Sequence, residues 1–192
     1  MNHRHFKLFK PYGYLSQFKN NQTRRKNKKL LGELYGFPEG TMAIGRLDED
    51  SEGLLLLTTD GKFSEAIRSK SIEKEYYVQV DGIISEDAIS KLKDGVEISV
   101  HGKKYLTLPC PVFKLEGIPD LPSRNKKIRD ERHGPSSWIS ITLTEGKFRQ
   151  VRKMTAVVGF PTLRLVRVRI GSETVGAMKS GDVLPLLWQS EN

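Results

Sequence analysis

The chain has 192 residues, 37% of them apolar, which is enough for one well-filled core or two small subdomains that share an interface. Its formal net charge is +9, and its one cysteine, Cys110, excludes an internal disulfide and a clustered thiolate zinc site. No apolar run approaches the ~18 residues of a membrane span and the N-terminus has no secretory apolar stretch, so a cytoplasmic protein is expected.

The positive charge is segregated. Residues 1–35 hold nine Lys/Arg against one acid, residues 124–169 hold twelve against three, and residues 36–123 are net acidic. A basic run is most often a solvated face, but two runs flanking an acidic middle point towards a phosphate-rich partner such as RNA.

In chain order, Phe6-Lys7-Leu8-Phe9 alternates as a strand does and ends in a Lys10-Pro11-Tyr12-Gly13 turn. Residues 19–29, with Arg24-Arg25-Lys26, show no apolar period and predict a mobile basic loop on the RNA backbone, followed by a short helix over residues 30–35. The run Leu54-Leu55-Leu56-Leu57-Thr58, closed by Asp60-Gly61, reads as a buried strand, and residues 63–69 as a short helix. Residues 74–80 alternate so that Tyr76, Val78 and Val80 share one face. Ser85 caps a predicted surface helix over residues 85–93, with Ala88, Ile89 and Leu92 on one side. Two strands follow around His101-Gly102, and a third over residues 112–115.

Residues 117–135 are rich in Pro, Lys and Arg and predict a long exposed loop, with Arg124, Lys126, Lys127, Arg129 and Arg132 as RNA contacts and His133 meeting phosphate or solvent. Residues 138–144 form a predicted strand. Glu145-Gly146 then turns into a helix from about Arg149 to Val158, with Val151, Met154, Thr155 and Val158 on its core face. Arg149, Arg152 and Lys153 form a neighbouring stripe, so Arg149 and Arg152 can reach a common site. Pro161 ends that helix, residues 163–170 continue as strand, and residues 178–187 close the fold.

The most concentrated chemistry lies just before the leucine run, in Gly45-Arg46-Leu47-Asp48-Glu49-Asp50-Ser51-Glu52-Gly53. Four carboxylates fall in five residues, and three of the four are expected to be ordinary solvated acids. Asp48 stands out because Gly45 permits an unusual backbone and Arg46 places a cation two positions before it. No phosphate-cradling glycine loop, His/Cys ligand cluster or nucleophile beside a base is present, so no cofactor and no metal are expected.

Gly45-Arg46-Leu47-Asp48, with Ser51-Glu52-Gly53-Leu54-Leu55-Leu56-Leu57-Thr58, resembles the signature of the RsuA-type ribosomal RNA pseudouridine synthases. Lys10-Pro11-Tyr12-Gly13, Lys74-Glu75-Tyr76-Tyr77-Val78 and Glu145-Gly146-Lys147-Phe148-Arg149-Gln150-Val151-Arg152-Lys153-Met154 resemble the other motifs of that family, in the same order. The Ile128-Arg129, Ser137-Trp138 and Val158-Gly159-Phe160-Pro161-Thr162-Leu163-Arg164-Leu165 segments are most similar to the subgroup of 23S rRNA pseudouridine synthases designated E. The resemblance implies an α+β fold, a twisted and mostly antiparallel sheet with flanking helices around a central cleft, in a single catalytic domain over residues 1–192 or two subdomains about the cleft. Family members often carry an N-terminal S4 module, and with so few residues before the first motif none is expected here.

The resemblance also implies the chemistry. The N-glycosidic bond of a uridine is broken, the base is rotated in place, and C5 is joined to C1′. Asp48 would be the required carboxylate, either attacking C1′ or promoting loss of the base through a glycal route. Arg152 would pair with it and favour its ionised form. Tyr76 would close the base pocket and serve C5, where a proton must leave. Period alone makes it equally a core aromatic. Arg46 would fill the gap left by the flipped nucleotide, and Lys147, Arg149 and Gln150 would contact RNA. The partner is then ribosomal RNA of the large subunit, met by a monomer. Two other classes compete: a non-catalytic RNA-binding or ribosome-assembly protein, and a glycosidase using Asp48 with Glu52, against which the absence of a sugar-stacking aromatic array argues.

Overall fold

The computed structural model describes residues 3–19, 27–69 and 72–187. The basic triplet Arg24-Arg25-Lys26, expected in a mobile loop, lies outside them. In chain order the elements are β1 (His5–Lys10), β2 (Tyr14–Leu15), β3 (Lys29–Leu30), β4 (Met42–Ile44), β5 (Glu52–Thr58), α1 (Gly61–Ser69), β6 (Lys74–Asp81), α2 (Glu86–Asp94), β7 (Glu97–Val100), β8 (Lys103–Leu106), β9 (Val112–Lys114), β10 (Ser136–Leu143), α3 (Gln150–Val157), β11 (Thr162–Ile170), β12 (Glu173–Thr174) and β13 (Val183–Pro185). This is the expected α+β class. Among the described residues no helix is long and apolar enough to cross a membrane.

The chain divides into two units. The first comprises residues 1–71, 122–125 and 174–192. Its β1 lies antiparallel between β13 and β5, and β5 is covered on its other side by β4. Every residue of β5 is buried, which explains why the leucine run is continuous and does not alternate. Leu55 and Leu57 join Phe6, Leu8 and Leu31 in one core, with Phe18 and Phe37 edge-to-face at 5.3 Å beside it. Asp60 starts α1 by accepting the Lys62 and Phe63 N–H groups at 2.9 and 3.2 Å. The helix expected over residues 30–35 is only a single 3-10 turn, Leu31–Glu33. Gly32 and Gly36 weaken helix propagation there, and Glu33 is spent on the Leu30 N–H at 2.7 Å.

The second unit comprises residues 72–121 and 126–173. Its strands run β11-β6-β10-β9, all antiparallel. Val78 and Val80 are wholly buried and Tyr76, on the same face, packs against their core, as the alternation requires. Ser85 caps α2 through the Ala88 N–H at 3.2 Å, and Ala88, Ile89 and Leu92 are buried. Where α2 ends, Gly95 has φ of 97°, and a Cβ there would sit 2.3 Å from the Thr107 carbonyl oxygen. Gly95→Ala is therefore expected to cost about 3 kcal/mol, from backbone strain and from displacing the β8 exit, and a lowered urea midpoint checks it.

Candidate active site

Asp48 sits on a loop pinned on both sides. Before it, Ser16 holds the Leu47 peptide twice, donating to its carbonyl at 2.7 Å and accepting its N–H at 2.9 Å. After it, the Glu49 carbonyl accepts the Gly13 N–H at 2.8 Å, and the Asp48 carbonyl accepts the Ser51 N–H at 3.0 Å. Gly45 has φ of 73°, the left-handed conformation that glycine tolerates best. Leu47 is buried and anchors the turn, while Arg46 is exposed and donates to Gln17 at 2.9 Å. The carboxylate of Asp48 is half-buried on a backbone that has little freedom.

Beneath this loop lies Lys10, fully buried at the end of β1. Its ammonium donates to the Pro11 and Tyr14 carbonyls at 2.9 and 2.8 Å and approaches that of Glu49 at 3.5 Å. Burial pushes its pKa down to about 7, against the opposing pull of Glu52, Asp50, Asp48 and Glu49. The unfolded chain keeps this proton up to about pH 10.5. From pH 7 to that value the unfolded state therefore binds the extra proton, and stability at this position rises with pH and is lost as pH falls through 7. Lys10→Met should remove this slope, so that its unfolding midpoint relative to wild type falls steadily as pH rises from 7 to 10. The signal for a buried lysine is in the sequence: strand period places Lys10 on the face of Phe6 and Leu8.

Two of the four loop acids differ from the expectation of plain solvated groups. Glu49 is paired with Lys28 at 2.5 Å. Glu52 is buried, 1% exposed, and faces the Nε of Arg124 at 3.6 Å. Arg124 was expected on an exposed RNA-contacting loop; instead its side chain is 10% exposed and its guanidinium carbon lies 4.0 Å from the Tyr12 ring centroid. A buried carboxylate requires a counter-charge, and a planar cation on an aromatic face supplies one from the middle of an otherwise irregular loop. Glu52 is thereby committed to structure, which removes the second carboxylate of the glycosidase alternative.

The rest of residues 117–135 is irregular apart from a 3-10 turn, Glu131–His133. Lys126 and Lys127 are exposed, Lys127 pairs with Asp130 at 3.5 Å, and Arg129 is ion-paired with Asp81. His133 meets the Asp130 carboxylate at 3.1 Å.

In the second unit Tyr76 is half-buried on β6, opposite Arg167 of β11 in register. It leans on the core that also holds Val151 and Met154 of α3, the helix that carries Arg152. Arg152 is half-buried. Arg149 takes the N-cap position in a left-handed conformation, φ 53°. Gln150, expected to contact RNA, is 4% exposed. Its amide donates to Glu145 at 2.6 Å and accepts the Lys147 N–H at 2.9 Å, so it reaches RNA only through the loop it holds. Asp48, Arg46 and Arg124 belong to the first unit, and Tyr76, Arg152, Lys147, Arg149, Gln150, Lys126, Lys127 and Arg129 to the second. Sequence reading missed Arg164 and Arg167, both buried on β11, because strand period alone does not distinguish a buried arginine from an exposed one.

The fold resembles a solved pseudouridylate synthase, with a TM-score of 0.74 at 26% identity over 97% of this chain and 71% of that one. A human protein titled RNA pseudouridylate synthase domain containing 1 shares the fold at a TM-score of 0.56 and 14% identity, over 97% of this chain and 80% of that one. Residues 5–157 match the family model described as RNA pseudouridylate synthase, and the chain belongs to that family. Ribosomal large subunit pseudouridine synthase E of Xanthomonas campestris is 43% identical over 91% of this chain and 90% of its own length. The protein of the same name from Vibrio parahaemolyticus is also 43% identical, over 90% of this chain and 69% of its own length.

Proposed function

We propose that the chain isomerises one specific uridine of the large-subunit 23S ribosomal RNA to pseudouridine. The observation that carries this reading is the Asp48 turn: its backbone is held by Ser16 and Gly13 with the buried Lys10 beneath, so that a half-buried carboxylate is presented to a substrate at little reorganisation cost. Support for the RNA class comes from the extent of identity to relatives named for the large subunit.

Asp48 serves the C1′ end of the reaction, where the bond to N1 breaks. The resemblance of its motif assigns Arg152, on α3 of the second unit, the role of the cation in the reaction. Tyr76 bounds the base as it turns and serves C5, whose proton leaves once the C5–C1′ bond has formed, while N1, freed from C1′, ends the reaction carrying a proton in its place. Atoms balance without an added reactant, because the base that leaves is the base that returns. Arg46, exposed beside Asp48, occupies the space of the extruded nucleotide, and Lys147, Arg149, Lys126, Lys127 and Arg129 meet the RNA backbone. Arg124 supports the Asp48 turn from below through Glu52 and Tyr12.

Release of tritium from 5-tritiated uridine tests the proposal. Unmodified 23S transcript should lose about one tritium per molecule, and a 16S transcript should lose none. Binding of both transcripts with no release would establish a non-catalytic RNA-binding protein instead.

A further inference from the structure

At the tip of the β7–β8 hairpin, His101 and Gly102 have φ of 49° and 78°, the two successive left-handed residues of a two-residue type I′ turn. Asn-Gly fills such a turn with little strain. Here the first position holds an imidazole, and its ring lies against Phe148 with centroids 5.8 Å apart and planes inclined by 24°. Phe148 is 56% exposed, so this ring pair belongs to the surface and not to the core.

The base under the pair is fixed. Glu145 accepts the Leu108 N–H at 2.9 Å and the Gln150 amide at 2.6 Å, together with the Tyr105 hydroxyl. The ammonium of Lys153 stands 5.1 Å from the Phe148 centroid, and that of Lys147 stands 4.6 Å from the Tyr105 centroid. Among the described residues neither ammonium is ion-paired to a carboxylate. An exposed, preset aromatic face beside cations matches the two faces of a single strand, its bases and its phosphates. An apolar protein surface would gain nothing from the two ammonium groups.

We infer that His101 and Phe148 form a stacking platform for an unpaired base of the RNA, with Lys147 and Lys153 receiving phosphates of the same strand. The inference rests on the reading of the chain as an RNA-modifying enzyme and adds to it a second point of contact. Every base has a π face, so the platform adds affinity for single-stranded segments without selecting the uridine.

Fluorescence anisotropy of the full chain, over a range of salt, with a labelled single-stranded oligoribonucleotide and with a duplex of equal length tests it. Phe148→Leu keeps apolar volume and His101→Asn suits the turn, so both variants should fold. Phe148→Leu should weaken single-strand binding about tenfold, His101→Asn less, each with an unchanged salt slope and unchanged duplex binding. Lys153→Gln should flatten the slope by about 0.7, the contribution of one single-strand phosphate. Equal losses on duplex and single strand would overturn the platform. Unchanged RNA affinity would overturn it as well, and with lost binding to ribosomal proteins would assign the surface to a protein partner. Binding is read independently of tritium release, so a chain that binds through the platform and releases no tritium contradicts the proposed reaction and leaves the platform standing.

Discussion

Asp48→Asn is expected to lower single-turnover pseudouridine formation by about 10³- to 10⁴-fold while RNA affinity stays within a few-fold of wild type. The separation of the two effects follows from how the turn is held. The backbone contacts that pin it run through the Leu47 peptide, the Glu49 carbonyl and the Asp48 carbonyl, and the substitution leaves these in place. Asparagine keeps the size of the side chain and removes only its charge and nucleophilic oxygen. A loss of affinity equal to the loss of rate would show that the residue binds RNA and does no chemistry.

The second large effect falls on stability. Glu52→Ala should cost about 3–5 kcal/mol, because it leaves the largely buried Arg124 without the carboxylate it faces at 3.6 Å. The urea midpoint measures it. Combining it with Arg124→Met should restore part of the loss, since the guanidinium that faced Glu52 is then gone, and the coupling in that double-mutant cycle is expected to exceed 1 kcal/mol. Additive losses would mean that the two side chains do not act as a pair.

The strands were legible because burial writes a period into the sequence. Phe6 with Leu8, Tyr76 with Val78 and Val80, and the unbroken leucines of β5 each declare whether one or both faces are covered. The α2 cap and the His101-Gly102 turn were equally readable, since a hydroxyl at an N-cap and a glycine after a left-handed residue have local causes. What escaped was charge that crosses between distant segments. Arg124 stands in a run of basic and proline residues whose local composition says loop, and only the fold shows that it is inserted over Tyr12. Glu52 and Gln150 failed for the same reason: a polar side chain does not announce its burial, which depends on partners supplied from elsewhere. Lys10 lay between these cases, in register with a buried face but read only as part of a turn. Asp48 could be singled out by its turn; the clamps that make it rigid could not.

The proposed reaction is isomerisation by the polypeptide alone. Nucleoside analysis of unmodified 23S rRNA, after incubation with a sub-stoichiometric amount of the purified chain in chelator, measures it most directly. The expected result is close to one new pseudouridine per RNA molecule, with an equal loss of uridine. RNA that is tightly bound by the protein and recovered with its uridine content unchanged would contradict it.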